Sequence, residues 1–127
     1  MVQKKEITSL EEIILLVDLF YGKVRSDDLL GHIFERLIKD NWEAHLKKMY
    51  KFWQTVLLAE HTYFGSPFAP HAKLPVQSAH FNRWKLLFFE TVDENFMGEK
   101  AAEAKFRAEK MAEIFQLKIH HLQKTSQ

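Results

Sequence analysis

Residues 66–75 read Ser-Pro-Phe-Ala-Pro-His-Ala-Lys-Leu-Pro and contain all three prolines of the chain. Proline fixes one backbone dihedral angle and cannot continue a helix, so this stretch predicts a short, stiff connector between two helical regions. His71 lies in the middle of the connector. A histidine held in this way is well placed to ligate a metal ion, but it is equally compatible with a surface loop. The spacing alone does not decide between the two.

The composition is that of one folded domain. The chain has 127 residues, of which 46% are apolar and 28% are charged, and we expect a single domain over residues 1–127. With a net charge of +1 and with acids and bases interspersed, no nucleic-acid-binding surface is expected. The absence of cysteine excludes disulfides, thiolate metal sites and thiol nucleophiles.

The N-terminal sequence predicts no secretion. Residues 1–6, Met-Val-Gln-Lys-Lys-Glu, become acidic too early for a secretory signal. No apolar run elsewhere approaches the length that a membrane-spanning helix requires. We therefore expect a cytoplasmic protein that does not associate with a membrane.

Apolar residues recur at helical spacing along most of the chain, and no stretch alternates in the way that strands do, so the predicted fold class is all-α. The first helix begins near Thr8, because Thr8 with Glu11 and Ser9 with Glu12 both have capping-box spacing. It ends before residues 26–28. The other predicted segments are one or two short turns within residues 29–38 and helices over about 41–60, 78–96 and 99–123.

The core of this helical protein is predicted to be unusually aromatic. The chain has 11 phenylalanines and 3 tryptophans, more aromatic area than a small helical core usually needs. Such a chain either has a bulky core or surrounds something flat and apolar. Small residues in the first half of the last helix, at Ala101, Ala104 and Ala108, predict close packing against a neighbouring helix.

The seven histidines do not form a recognisable zinc motif. No HxxxH or HExxH pair is present, which excludes a zincin-type site. His61, His80, His120 and His121 are predicted to be exposed. The chain also has no glycine-rich phosphate loop, no serine nucleophile elbow and no evident carboxylate pair, so hydrolase chemistry is not expected. His45 lies at the edge of an apolar helix face, where it is either a site residue or a boundary residue.

One set of side chains has the order and spacing of a known family. Its members are Phe20-Tyr21 at the end of the first helix, Phe34, the pair His45 and Met49 with Phe52-Trp53, His71 in Pro-His-Ala-Lys-Leu-Pro, and Trp84 in Phe-Asn-Arg-Trp-Lys-Leu-Leu-Phe-Phe-Glu. In this order they resemble truncated haemoglobins, most closely the third group of the bacterial ones. The resemblance runs from about residue 9 to 122. Met49 departs from the pattern, because a branched aliphatic residue is common at its position.

The resemblance implies a two-over-two helical sandwich around a b-type haem. His71 would be the proximal ligand of the haem iron, and Tyr21, His45 and Trp84 would stand on the distal side. His45 would either donate a hydrogen bond to a ligand or swing as a gate to solvent. Lys48 or Lys73 would pair with a haem propionate. The other side chains implied to contact the cofactor are Phe34, Met49, Phe52, Phe68, Leu74, Phe81 and Phe115.

The function implied by the resemblance is binding of O₂ or another diatomic gas, NO or CO, at an iron that can take six ligands. His45 or Tyr21 could approach the iron when no gas is bound. Oxygen transport, peroxidase-like activity and NO dioxygenation with an unidentified reductase are all compatible with such a site. The alternative from another class is a cofactor-free helical interaction domain. A membrane-surface amphipathic protein is disfavoured, because the polar helix faces mix both charges.

Overall fold

The computed structural model describes residues 3–63 and 76–125, which fold into five helices and one short pair of strands. Each helical segment predicted from the sequence is present, and residues 31–38 form a helix of two turns. The elements are β1 Lys5–Glu6, α1 Leu10–Ser26, α2 Gly31–Ile38, α3 Trp42–Leu58, α4 Ser78–Asn95, β2 Phe96–Met97 and α5 Glu99–Thr125. Among the described residues, no helix is long and apolar enough to cross a membrane.

Helix α1 begins at the second of the two predicted capping boxes. Ser9 is the N-cap, and its backbone N–H donates to the Glu12 carboxylate across 2.9 Å. Thr8 donates to the same carboxylate oxygen from its backbone N–H at 3.1 Å. Although burial acts in the opposite direction, these hydrogen bonds lower the pKa of Glu12 below its usual value. The helix start is therefore stabilised most when Glu12 is ionised.

The helices form two pairs, α1 with α3 and α4 with α5, and α1 also contacts α4. In the pair of α4 and α5, the α5 residues Ala101, Ala104 and Ala108 are buried, with 5%, 0% and 0% of their surface exposed. The predicted close packing along the first half of α5 is thus confirmed. Between the pairs, Trp53 of α3 stacks on Phe88 of α4, with ring centroids 5.0 Å apart.

Helix α3 ends at Leu58, two residues before its predicted end. Ala59 adopts a left-handed conformation with a φ of 57°, which terminates the helix. The chain then folds back, because the backbone N–H groups of Thr62 and Tyr63 donate to the Thr55 hydroxyl across 3.1 and 3.0 Å.

A parallel strand pair joins the start of the chain to the end of α4. Lys5 pairs with Phe96 and Glu6 with Met97. Ile7, directly after β1, has 1% of its surface exposed. The sequence did not predict these strands, since two residues are too few to show an alternating pattern. Gly98, which follows β2, has a φ of 91°, a conformation that favours glycine.

Candidate functional site

A large pocket opens between the two helix pairs. Its empty volume is about 830 Å³, which includes space that is open to solvent. Polar groups are few in its wall. The lining residues are Phe20, Tyr21, Leu30, Ile33, Phe34, Met49, Phe52, Trp53, Val76, His80, Phe81, Trp84, Met111, Ala112, Phe115 and Ile119.

The fold brings many of the predicted site residues together in this wall. They come from all five helices and are separated by up to 94 positions in the chain, from Tyr21 to Phe115. The residues that were predicted and that line the pocket are Tyr21, Phe34, Met49, Phe52, Phe81, Trp84 and Phe115.

Other predicted site residues lie elsewhere. Lys48 is exposed on α3 and is not part of the wall. His45, also on α3, is half-buried and contacts the ring of Tyr21 without lining the pocket. The remaining predicted positions, Phe68, His71, Lys73 and Leu74, lie outside the described residues.

Tyr21 presents an unsatisfied hydroxyl to the pocket. Its ring is held edge to face between Phe20 and Phe34, at centroid distances of 5.0 and 6.1 Å. Burial is the one cause that raises the pKa of the hydroxyl above its usual value, and no hydrogen bond to a described residue contributes. Tyr21 is therefore a neutral donor in a largely dry site, available to a ligand.

Trp84 brings a second donor to the same wall. Its ring packs edge to face on Phe20, with centroids 5.4 Å apart, and stacks on Phe88 at 5.7 Å. Since Phe20 contacts both Tyr21 and Trp84, one buried phenylalanine holds the two donors in place. Within residues 3–63 and 76–125, no side chain or carbonyl accepts a hydrogen bond from the Trp84 indole.

His80 lines the pocket beside Phe81, at the start of α4. The prediction that this histidine is exposed is wrong, because its side chain is half-buried. The backbone N–H of Gln77 donates to its Nδ1 across 2.9 Å, so in the neutral ring Nε2 carries the proton. The spacing of His80 four residues before Trp84, on one helix face, is the signal that could have revealed it.

The described residues fit a flat, apolar cofactor. Aromatic and aliphatic side chains form nearly the whole wall, and the polar groups in it, from Tyr21, His80 and Trp84, can act as donors. The Tyr21 hydroxyl makes no hydrogen bond to a described residue. An acceptor supplied by a bound ligand would satisfy it.

Comparisons with known proteins give one consistent result. The profile of the family described as Bacterial-like globin matches residues 5–121. Group 3 truncated hemoglobin ctb of Campylobacter jejuni is 35% identical over 117 residues, which cover 89% of this chain and 92% of that protein. The crystal structure of the group III truncated hemoglobin from Campylobacter jejuni superposes with a TM-score of 0.84 at 34% identity. It covers 92% of this chain and 95% of that one.

Proposed function

Because the chain belongs to the bacterial-like globins, and within them to the group 3 truncated haemoglobins, we propose that it holds a b-type haem in the pocket between its helix pairs, with His71 as the proximal ligand. As a globin it binds haem, and when bound the haem iron supplies a site for a diatomic gas. The observation that carries the finer proposal is the unsatisfied Tyr21 hydroxyl in an otherwise apolar wall. The gas that we propose is O₂, with NO and CO as competing ligands.

Tyr21 and Trp84 select and retain the ligand. A hydroxyl and an indole N–H both donate, and in a largely apolar site each hydrogen bond is stronger than in solution. A net contribution of roughly 0.5–1.5 kcal/mol per bond, and more with a charged acceptor, would slow release of O₂. CO accepts such bonds poorly, so the two donors favour O₂ over CO.

The proposed proximal ligand of the haem iron, His71, belongs to residues 64–75, which lie outside the described part of the chain. Histidine is the natural axial ligand in a chain without cysteine, and the prolines around His71 would hold its imidazole without a long helix. A backbone carbonyl that accepts a hydrogen bond from the other ring nitrogen would fix the tautomer. Phe68 and Leu74 would pack on the same face of the cofactor. Lys48 and Lys73 are the candidate partners of the haem carboxylates.

Absorbance spectra of the purified protein test this proposal. A sharp Soret band is expected in the wild type, and His71→Ala should lose it or shift it to a weakly ligated form. His61→Ala, which changes an exposed histidine before the connector, is the matched control and should leave the spectrum unchanged. A folded, colourless protein that takes up no added haem would refute the proposal and favour the cofactor-free interaction domain.

Redox turnover is the second candidate function, and the observation that favours it is the presence of two donors in one apolar pocket. Donors arranged in this way also polarise an O–O bond. Peroxidase-like activity or NO dioxygenation would require a reductant, which in a cytoplasmic setting a separate reductase would supply. Turnover of peroxide or NO above that of free haem, reduced in Tyr21→Phe and Trp84→Phe, would support this candidate. Turnover equal to free haem would leave gas binding alone.

A further inference from the structure

A cluster of three rings adjoins the ligand pocket at Tyr21. Trp42, Tyr21 and His45 contact one another edge to face. The centroid of Trp42 is 6.0 Å from that of Tyr21 and 6.0 Å from that of His45, and Tyr21 and His45 are 5.1 Å apart. The planes of His45 and Trp42 meet at 90°, and those of His45 and Tyr21 at 88°. Only Tyr21 of the three also lines the pocket.

The Arg25 guanidinium contacts the Trp42 ring. The Arg25 guanidinium carbon lies 4.3 Å from the Trp42 ring centroid, within the range of a cation–π contact. The Nε of Arg25 is in turn 3.3 Å from the Glu35 carboxylate. Since these residues belong to α1, α2 and α3, the contacts join the end of α1 to the start of α3 through a single tryptophan.

The burial of Trp42 shows that its ring, and not its N–H group, makes the important contacts. The residue has 8% of its surface exposed, and its buried Nε1 has no hydrogen-bond partner in the described part of the chain. An unsatisfied buried donor is unfavourable, so a smaller aromatic residue would avoid that cost. The residue is explained if the large indole ring is needed to contact the guanidinium, Tyr21 and His45 together.

We propose that Trp42 is a positioning residue that holds the His45 imidazole against Tyr21 and out of the ligand pocket. The cation–π contact with Arg25 keeps Trp42 itself in place. This inference rests on the proposed haem function. Trp42 and His45 also both contact the Tyr21 ring and so help to hold it in place. The contact energy of one edge-to-face ring pair corresponds to a factor of roughly 2 to 10 in an equilibrium constant. Trp42 should therefore favour the His45 position outside the pocket over the position inside it by about this factor.

The first test is made on the haem-loaded protein. In ferrous protein without gas, Trp42→Leu should release His45, raise the fraction of six-coordinate low-spin iron about 2- to 10-fold, and slow CO association correspondingly. Trp42→Phe, which retains a smaller aromatic ring, should lie between the wild type and Trp42→Leu. His45→Leu added to Trp42→Leu should abolish the six-coordinate species. A folded Trp42→Leu protein with the wild-type spin state and CO rate would overturn the proposal.

The second test does not need haem. In the full-length apoprotein with labelled histidine, the ring currents of Tyr21 and Trp42 should shift the carbon-bound ring protons of His45 away from the values of an exposed histidine, and His45→Gln identifies these signals. Trp42→Leu should move these signals toward the values of an exposed histidine. Arg25→Gln should move them in the same direction by less, while Arg36→Gln, on an exposed α2 arginine, should not move them.

The two tests separate this inference from the function beneath it. A wild-type protein that takes up no haem would overturn the proposed function, while the histidine signals would still report whether Trp42 holds His45. Wild-type positions of the His45 signals in Trp42→Leu would overturn the positioning role even if haem binds normally. A protein that binds haem and shows both Trp42 effects would support both.

Discussion

The backbone N–H of Gln77 donates to Nδ1 of His80 across 2.9 Å, so the ring that closes the first turn of α4 is also part of the pocket wall. Replacing His80 by alanine removes the acceptor and should lower the free energy of unfolding by about 1 kcal/mol, the usual scale of a lost cap. It should also speed transfer of haem to apomyoglobin, because the wall loses a half-buried ring. Urea unfolding of the apoprotein and the haem-transfer rate measure the two effects.

His80→Glu separates these two roles of the residue. A glutamate at this position can still accept the Gln77 N–H, as in an ordinary capping box, so the stability of the apoprotein should largely return. It also brings a carboxylate to an apolar wall, so haem should be lost faster than from the wild type. Equal unfolding free energies for the wild type and His80→Ala would contradict the capping role.

Tyr21→Phe should speed O₂ dissociation about tenfold, the loss expected for one hydrogen bond to a partly charged acceptor. Since no described residue accepts from the hydroxyl, the stability of the apoprotein should change little or increase. Stopped-flow O₂ release measures the first effect and thermal unfolding the second. The control is Tyr50→Phe, because Tyr50 donates to Asp18 between α3 and α1 and does not line the pocket. An O₂ rate changed equally by both variants would count against a distal role for Tyr21.

Alkaline pH should destabilise the protein through Tyr21. Burial raises the pKa of its hydroxyl above the usual value of about 10, so the folded state keeps a proton that the unfolded chain releases. The free energy of unfolding should therefore fall as the pH rises above about 10, by up to about 1.4 kcal/mol per pH unit for this group. Tyr21→Phe should remove this part of the slope in urea unfolding between pH 9 and 11.

Tyr50 is a second tyrosine that should contribute to the fall in the free energy of unfolding at alkaline pH. Burial, the hydrogen bond to Asp18 and the charge of Asp18 together raise the pKa of Tyr50 to about 12. The direction of its effect on stability is the same as for Tyr21, but Tyr50 is partly solvated and its contribution should be smaller. A pH slope that is identical in the wild type and in Tyr21→Phe would show that Tyr21 ionises as readily in the folded protein as in the unfolded chain.

The contact between α4 and α5 should not tolerate larger side chains. Ala104 has none of its surface exposed, whereas Ala102 on the same helix is exposed. Ala104→Leu should lower the free energy of unfolding by about 1–3 kcal/mol through overpacking, and Ala102→Leu should leave it nearly unchanged. Chemical denaturation compares them directly. A leucine tolerated equally at both positions would mean that α4 and α5 do not pack closely at Ala104.

Two glycines should respond to alanine with opposite signs. Gly98 has a φ of 91°, and a Cβ there would lie 2.9 Å from the Glu6 carboxylate, so Gly98→Ala should cost about 1–2 kcal/mol. Gly22 lies within α1 with open space around it, so Gly22→Ala should stabilise the protein by about 0.5–1 kcal/mol. Melting temperatures that shift in the same direction for both variants would contradict this account.

The helices were predictable because their buried faces recur at regular intervals. Ile13, Val17 and Phe20 are spaced by four and three residues, and all three are buried in α1. The all-α two-over-two globin fold was expected from the resemblance, and the match in structure confirms it. The strand pair was not predictable, because a partnership between Lys5 and Phe96 leaves no local pattern in either segment.

The site was predictable only in part. The order of Tyr21, Phe34 and Trp84 along the chain resembled a family, and these residues do line one pocket. The burial of His80 and the contact of Arg25 with Trp42 depend on how helices meet, which residue spacing does not report. The role of His71 stays a prediction, since that residue lies outside the described part of the chain.

The pairing of Lys5–Glu6 with Phe96–Met97 also constrains the order of events during synthesis. During translation β1 must wait for a partner that is made about 90 residues later, an interval on the order of 5–20 s at ordinary translation rates. Until then Ile7, which the folded protein buries, stays accessible to chaperones and proteases. Closure of this contact buries Ile7, so stalling translation before β2 emerges should leave the segment around β1 open to cleavage.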